Sequence, residues 1–227
     1  SLFVADPDPA VAETDLIAAR LEAAAIREAM YPKGRWLGRT ADGANASDGP
    51  GTRDEVLGWL AGRRSGATMH LACHGTVRAG RGPEDTSYLL LAGGARLSAE
   101  DLVRTLQDSP ASDLGIAVLA ACNSGTSGRG YDEAFSVGTA LLAAGARSVI
   151  SAQWRVPDRQ TSALMFMFHH YLRVAGQPPV DALRSAQLWM LDRERKPPVT
   201  MSAALWAALD LDGGVDITAW AGFQHSG

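Results

Sequence analysis

Short, almost wholly apolar stretches alternate along the chain with longer stretches whose apolar residues recur at helical spacing. The strand-like stretches are 2–5, 35–39, 67–73, 88–92, 116–122 and 147–154. Helical spacing covers 13–30, 53–63, 98–107, 131–145, 158–175 and 179–193. Several of the strands are apolar at successive positions, as in a parallel sheet that helices cover on both faces. The pattern therefore predicts an α/β fold built on a mostly parallel central sheet.

A few residues mark the ends of these elements. Ser98 is predicted to cap the helix that follows it, with Asp101 in the first turn. Gly145 is expected where the helix over 131–145 stops. The small and polar stretches 40–52 and 76–85 are predicted to be loops, whereas the last thirty residues give no clear pattern.

Composition narrows the classes of protein that fit this fold. The chain has 227 residues, 46 % of them hydrophobic, and a net charge of −4 without a basic stripe, which argues against a nucleic-acid partner. No apolar run approaches the roughly 18 residues that a membrane helix needs, and the acidic start does not resemble a signal peptide. The two cysteines, Cys73 and Cys122, lie in apolar runs and are expected to be free thiols in a reducing cytoplasm. We expect a single domain over 1–227, part of or excised from a larger regulated protein.

Two predicted strands end in side chains that can react. His74 follows the strand in "HLACHG", and Cys122 ends the strand in "VLAACNSG". Loops at the carboxyl ends of strands form the sites of open α/β sheets, so neighbouring strands would bring an imidazole and a thiol to one edge. A histidine near a cysteine raises its thiolate fraction and can later protonate a leaving group. Backbone N–H groups of Gly75 and of the loop after Cys122 could then approach an oxyanion.

Other interpretations of the same residues stay open at this point. A cysteine ending an apolar strand is often a small core residue, and a histidine near a strand end is often structural. A zinc site would need His70, Cys73, His74 and Cys122 as ligands. On one strand, however, His70 and His74 would stand about 13 Å apart, and Cys73 would face the opposite side.

The order of several motifs resembles one known family. The motifs are "HLACHG", "YLLLAGGARLSAEDL", "IAVLAACNSGTS", "ALLAAGARSVISAQWRVPDRQTSALMFMF" and "ALRSAQ", with "EAAAIREAM" and "WAGF" extending the likeness over nearly the whole chain. They resemble the CHAT domain, a caspase-like peptidase domain related to caspases, separases, gingipains and legumains. The resemblance implies a caspase-like three-layer sandwich, with helices on both faces of the sheet.

The same resemblance implies roles for particular residues. His74 and Cys122 would form the catalytic dyad, with the backbone N–H groups of Gly75 and Cys122 as the oxyanion hole, and neither a metal nor a cofactor is expected. The residues that follow the cysteine differ from the motif that is usual in this family. They are Asn123, Ser124 and Gly125.

In related proteases, the segment after the next strand forms the pocket for the residue before the scissile bond. The matching candidates here are Gln153, Trp154, Val156 and Asp158. An acid at the pocket base would select Arg or Lys, although Asp158 could instead cap helix 158–175. Trp154 could equally be a packing residue. Arg78 and Arg81 could attract an acidic substrate or simply be solvated.

These inferences favour a cysteine endopeptidase that cuts a protein substrate through a thioester intermediate. About nine residues separate Cys122 from the helix predicted near 132, too few for a cleavable linker, so we expect activation by a sensor module or a binding partner. Two rivals remain. The domain could be a catalytically silent scaffold that binds a partner, or a small-molecule thiol hydrolase with an enclosed apolar pocket.

Overall fold

A computed structural model describes residues 1–10, 15–62, 66–77, 87–108, 114–120, 136–154, 156, 158–208 and 217–227. Its main sheet has six strands in the order β2-β1-β3-β7-β8-β9. They are β1 (Leu2–Ala5), β2 (Arg35–Gly38), β3 (Ala67–Ala72), β7 (Leu114–Leu119), β8 (Val149–Ala152) and β9 (Phe223–Ser226). All neighbours pair in parallel except β9, which runs antiparallel to β8 at the edge. The predicted fold class is confirmed.

Helices cover both faces of this sheet. They are α1 (Ile17–Met30), α2 (Arg53–Ala61), α3 (Ala99–Gln107), α4 (Val137–Ala143), α5 (Asp158–Arg173), α6 (Pro179–Leu191), α7 (Ala203–Ala208) and α8 (Ile217–Trp220). Successive strand residues face opposite sides, so Phe3 and Ala5 pack with α1, α5 and α6 in one apolar cluster. Leu2 and Val4 belong to the second cluster, with α2, α3 and α4. Strand β1 is apolar at every position because both of its faces are buried.

A second, smaller sheet was not predicted. Its antiparallel strands are β4 (Gly75–Val77), β5 (Ser87–Leu90) and β6 (Arg96–Ser98), in that order. The prediction of a loop from residue 76 onward is therefore wrong for 76–77, which belong to β4. A three-residue strand is too short to show the alternation that identifies strands in sequence.

Several predicted boundaries also change. Helix α1 begins at Ile17 rather than 13, and strand β8 ends at Ala152, so Gln153 and Trp154 form a bend rather than strand. Ser136 caps α4, which therefore begins at Val137 rather than at 131. The stop at Gly145 is confirmed, because this glycine follows the C-cap with a φ of 97°, which disfavours side chains.

The predicted cap at Ser98 is confirmed as a reciprocal capping box. The Ser98 hydroxyl accepts the N–H of Asp101, and the Asp101 carboxylate accepts the N–H of Ser98. We expect Ser98→Ala to lower the free energy of unfolding by about 1 kcal/mol, because N–H groups of the first turn lose their acceptor. Urea unfolding measures this loss, and Thr52→Ala in the equivalent box of α2 should match it. An unchanged midpoint in both variants would contradict the prediction.

Candidate active site

His74 lies at the carboxyl edge of the central sheet, just beyond β3. Its side chain is half-buried, and its carbonyl oxygen accepts the N–H of Leu90 at 2.9 Å. Strand β3 pairs in parallel with β7, with Leu71 opposite Leu119. Strand β7 is the strand that leads toward Cys122 along the chain. Cys122 itself lies outside the described residues, as do Arg78 and Arg81.

Gly75 directs its N–H away from the small sheet. In an antiparallel pair, residues that exchange hydrogen bonds alternate with residues that do not. His74 accepts from Leu90, so the following pair, Gly75 with Leu89, is of the second kind. The N–H of Gly75 therefore points to the side of β4 that faces away from β5. A donor with this orientation is free of the β4–β5 ladder.

Cys73 is a core residue although it stands beside His74. Its side chain is 1 % exposed and packs in the cluster that α2, α3 and α4 cover. Burial, reinforced by the nearby Asp6 carboxylate, raises the pKa of the Cys73 thiol to about 12. At neutral pH this thiol stays protonated and is a poor nucleophile.

His70 belongs to a buried chain of polar side chains. Its Nδ1 lies 3.1 Å from Nε2 of His169, and its Nε2 lies 2.8 Å from Oε1 of Glu22. The contact with Glu22 does not have the geometry of a hydrogen bond. Beyond His169 the chain continues to the hydroxyl of Tyr31, 2.9 Å from Nδ1. No cluster of metal-ligand side chains occurs within the described ranges.

Sequence reasoning missed a buried ion cluster at the same edge of the sheet. Asp6, directly after β1, is fully buried with a φ of 41°, and its Oδ2 lies 2.6 Å from Arg20 and 2.8 Å from Arg39. Both arginines also reach Asp15. The hydrogen bond from Arg20, followed by the charge of Arg39, lowers the pKa of Asp15 despite some desolvation. The sequence signal that could have predicted this cluster is Asp6, an acidic residue directly after an apolar strand.

The pocket candidates after β8 lie in different environments. Gln153 is half-buried, Trp154 is 40 % exposed, and Val156 is 5 % exposed within the cluster that α5 and α6 cover. Helix α5 begins at Asp158, which places this residue in the first turn of the helix.

The sheet order and the helices on both faces define a three-layer α/β protein with a mostly parallel central sheet. The sequence profile of the CHAT domain matches residues 1–227, and the chain belongs to the CHAT domain family. In the part of the chain that is described, no helix is long and apolar enough to cross a membrane. No curated protein sequence matches the chain.

Two solved structures with similar folds come from the gingipains. One is the Arg-specific cysteine proteinase gingipain R (RgpB), with a TM-score of 0.53 and 16 % identity over 86 % of this chain and 42 % of that one. The other is the complex of Porphyromonas gingivalis RgpB pro- and mature domains, with a TM-score of 0.51 and 14 % identity over 86 % of this chain and 43 % of that one. The chain thus spans less than half the length of these proteins. At such identities the likeness concerns the fold.

Proposed function

We propose that this domain is a cysteine endopeptidase that uses His74 as general base and acid and Cys122 as nucleophile. The observation that carries the proposal is the pairing of Leu71 with Leu119 across the parallel strands β3 and β7. His74 and Cys122 each follow their strand's paired leucine by the same number of residues in sequence. Equivalent positions on neighbouring parallel strands favour a shared edge for the imidazole and the thiol.

Two further observations support this assignment. The N–H of Gly75 faces away from the β4–β5 ladder, as an oxyanion donor requires, and the backbone N–H of Cys122 is proposed as its partner. Of the two cysteines in the sequence, Cys73 is buried with a raised pKa, which favours Cys122 as the reactive thiol.

The proposed reaction proceeds in two steps. The Cys122 thiolate, whose proton has passed to His74, attacks the carbonyl carbon of the scissile peptide bond, and the two N–H groups hold the resulting oxyanion. The C–N bond then breaks as His74 donates a proton to the leaving nitrogen, which leaves a thioester on Cys122. His74 next takes a proton from water, whose oxygen attacks the thioester carbonyl, and the thiol is regenerated with release of the acid.

The proposed substrate is a protein. Its residue before the scissile bond would lie against the segment that contains Gln153, Trp154, Val156 and Asp158. The membership of the caspase-like CHAT family supports peptide hydrolysis over small-molecule chemistry. The switch that turns the activity on is proposed to be a sensor module or a binding partner.

Labelling with peptide electrophiles tests the proposed nucleophile. Intact-mass spectrometry would follow the reaction of peptidyl chloromethyl ketones, with either Arg or Asp before the ketone, on the wild type, Cys122→Ala and Cys73→Ala. We expect one label on the wild type and on Cys73→Ala, and none on Cys122→Ala, because only a thiolate beside a histidine reacts rapidly.

Peptide mapping of the labelled protein provides the control for the site of attachment. Loss of labelling in Cys73→Ala with retention in Cys122→Ala would overturn the assignment. A wild-type rate no faster than that of a free cysteine peptide would favour the silent scaffold instead.

A further inference from the structure

The segment 217–223 contacts the bend that follows β8. Pairing of β9 with β8 places Phe223 opposite Ala152, and the N–H of Gln153 donates to the carbonyl of Gly222 at 2.7 Å. One residue further, the indole Nε1 of Trp154 donates to the carbonyl of Thr218 in α8 at 2.7 Å. Two successive residues after β8 are thus bonded to backbone carbonyls of one short segment, which we call the C-terminal clasp (217–223).

Gly222 leaves the space that the Trp154 ring occupies. A Cβ at this position would lie 2.9 Å from Nε1 and Cε2 of Trp154, and 3.1 Å from Cγ1 of Val156. The backbone of Gly222 has no positive φ of the kind that only glycine adopts readily. The absence of a side chain is therefore required by the neighbouring Trp154 and Val156, and not by the turn.

Burial accounts for little of the Trp154 orientation. The Trp154 residue keeps 40 % of its surface exposed. Even so, its indole N–H donates a hydrogen bond to Thr218, and its ring lies against Gly222. Fixing an exposed aromatic ring costs conformational entropy that its limited burial offsets only in part. A surface ring held in one orientation is a feature of binding sites more than of cores.

The clasp is itself anchored to the rigid part of the fold. The side-chain amide of Gln187 in α6 donates to the carbonyls of Trp220 at 3.3 Å and of Phe223 at 3.0 Å. Together with the β8–β9 ladder, these bonds hold the clasp from two sides. Displacement of the clasp from Trp154 would therefore free the bend after β8, while the sheet itself would stay paired.

We infer that Thr218 and Gly222 are positioning residues, which hold the bend at Gln153 and the Trp154 ring in the orientation that binds the substrate. This inference rests on the proposed peptidase function. It adds that the C-terminal clasp determines the position of one wall of the substrate pocket. A pocket wall that contacts the substrate equally in the ground state and the transition state contributes uniform binding. Its displacement should therefore raise KM and leave kcat nearly unchanged.

Steady-state hydrolysis of a fluorogenic peptide by Gly222→Ala and Trp154→Phe tests the inference. We expect KM to rise about tenfold in Gly222→Ala, with kcat within about twofold of the wild type. Trp154→Phe removes the donor to Thr218 and one ring of the indole but keeps an aromatic side chain, so its KM should rise by less. Gly58→Ala in α2, where an added Cβ meets nothing within 4 Å, is the matched control and should keep both constants.

Hydrogen exchange at the Gln153 amide and the melting temperature are measured on the same proteins. Faster exchange in Gly222→Ala, in a protein that is still folded, supports the inference together with the raised KM. An unchanged KM in an active Gly222→Ala variant overturns it, as does a loss of kcat that only follows the unfolded fraction. A wild type that stays inactive even with its activating module or partner bound overturns the proposed function, and the role in substrate binding is then refuted as well.

Discussion

Replacement of His74 by alanine is expected to lower kcat for peptide hydrolysis by at least about a thousandfold. The imidazole is assigned two proton transfers, to the leaving nitrogen and from the attacking water, and alanine can perform neither. The side chain is half-buried at the end of β3, so its loss should leave the core unaffected. The melting temperature should accordingly change little, and KM should change far less than kcat.

His225→Ala is the matched control for this experiment. His225 is also partly buried, but it lies on β9 and contacts the hydroxyl of Ser148 at 3.2 Å. Ser148 directly precedes β8, at the edge of the sheet opposite His74. This variant should keep the wild-type kcat. Comparable activity of His74→Ala and His225→Ala would rule out a dyad that contains His74.

Acidification is expected to destabilise the domain through His169, at the centre of the buried polar chain. It is fully buried, and it faces Tyr31 after α1, His70 on β3 and Arg173 on its own helix, with Glu22 of α1 beyond His70. Burial first, and then the charges of His70 and Arg173, lower the pKa of His169 well below its ordinary value.

The sign of the effect follows from this lowered pKa. Above about pH 6.5 neither the folded nor the unfolded state protonates His169, so the stabilisation is fully present. Below that pH the unfolded chain binds a proton that the folded protein does not, and the free energy of unfolding falls by up to about 1.4 kcal/mol per pH unit. Urea unfolding between pH 7.5 and 5 measures this slope.

His169→Gln separates this titration from the other groups. Glutamine can still hydrogen bond but does not titrate, so the variant should be less stable at neutral pH and show a flatter slope below about pH 6.5. His170→Gln changes the neighbouring histidine, which is only partly buried and contacts Thr200, and should alter the slope less. Parallel curves for the wild type and His169→Gln would refute the prediction.

Most of the central sheet was predictable because the apolar residues within a strand are enough to identify it in the sequence. Stretches such as Leu2–Ala5 and Leu114–Leu119 are buried on both faces, and nothing but an apolar run fits such a strand. Strand β3 also ends at the carboxyl edge of the sheet. His74 could be predicted as a candidate from the sequence because it follows this end of the strand. The misleading neighbour Cys73 was also assigned correctly to the core, since adjacent strand residues face opposite ways.

What remained hidden depends on partners that are distant in sequence. His70 contacts His169, which lies 99 residues further along the chain, and no local sequence pattern predicts such a contact. Strand β9 is polar at three of its four positions and is defined by the neighbour it pairs with, β8. The contact between Gly222 and Trp154 likewise depends on how α8 folds back, which hydrophobic periodicity does not encode.

The parallel pairing of β3 with β7 has a kinetic consequence. Parallel strands cannot be joined by a tight hairpin, so this pair forms only after a long intervening segment has been ordered. Contacts of such sequence separation arise late, because the chain entropy of loop closure must be overcome first. A chain still emerging from the ribosome could pair β3 with β1 before β7 and the segment after it have been made. Under the proposed function, this order of assembly delays the meeting of His74 and Cys122 until both strands of the pair are in place.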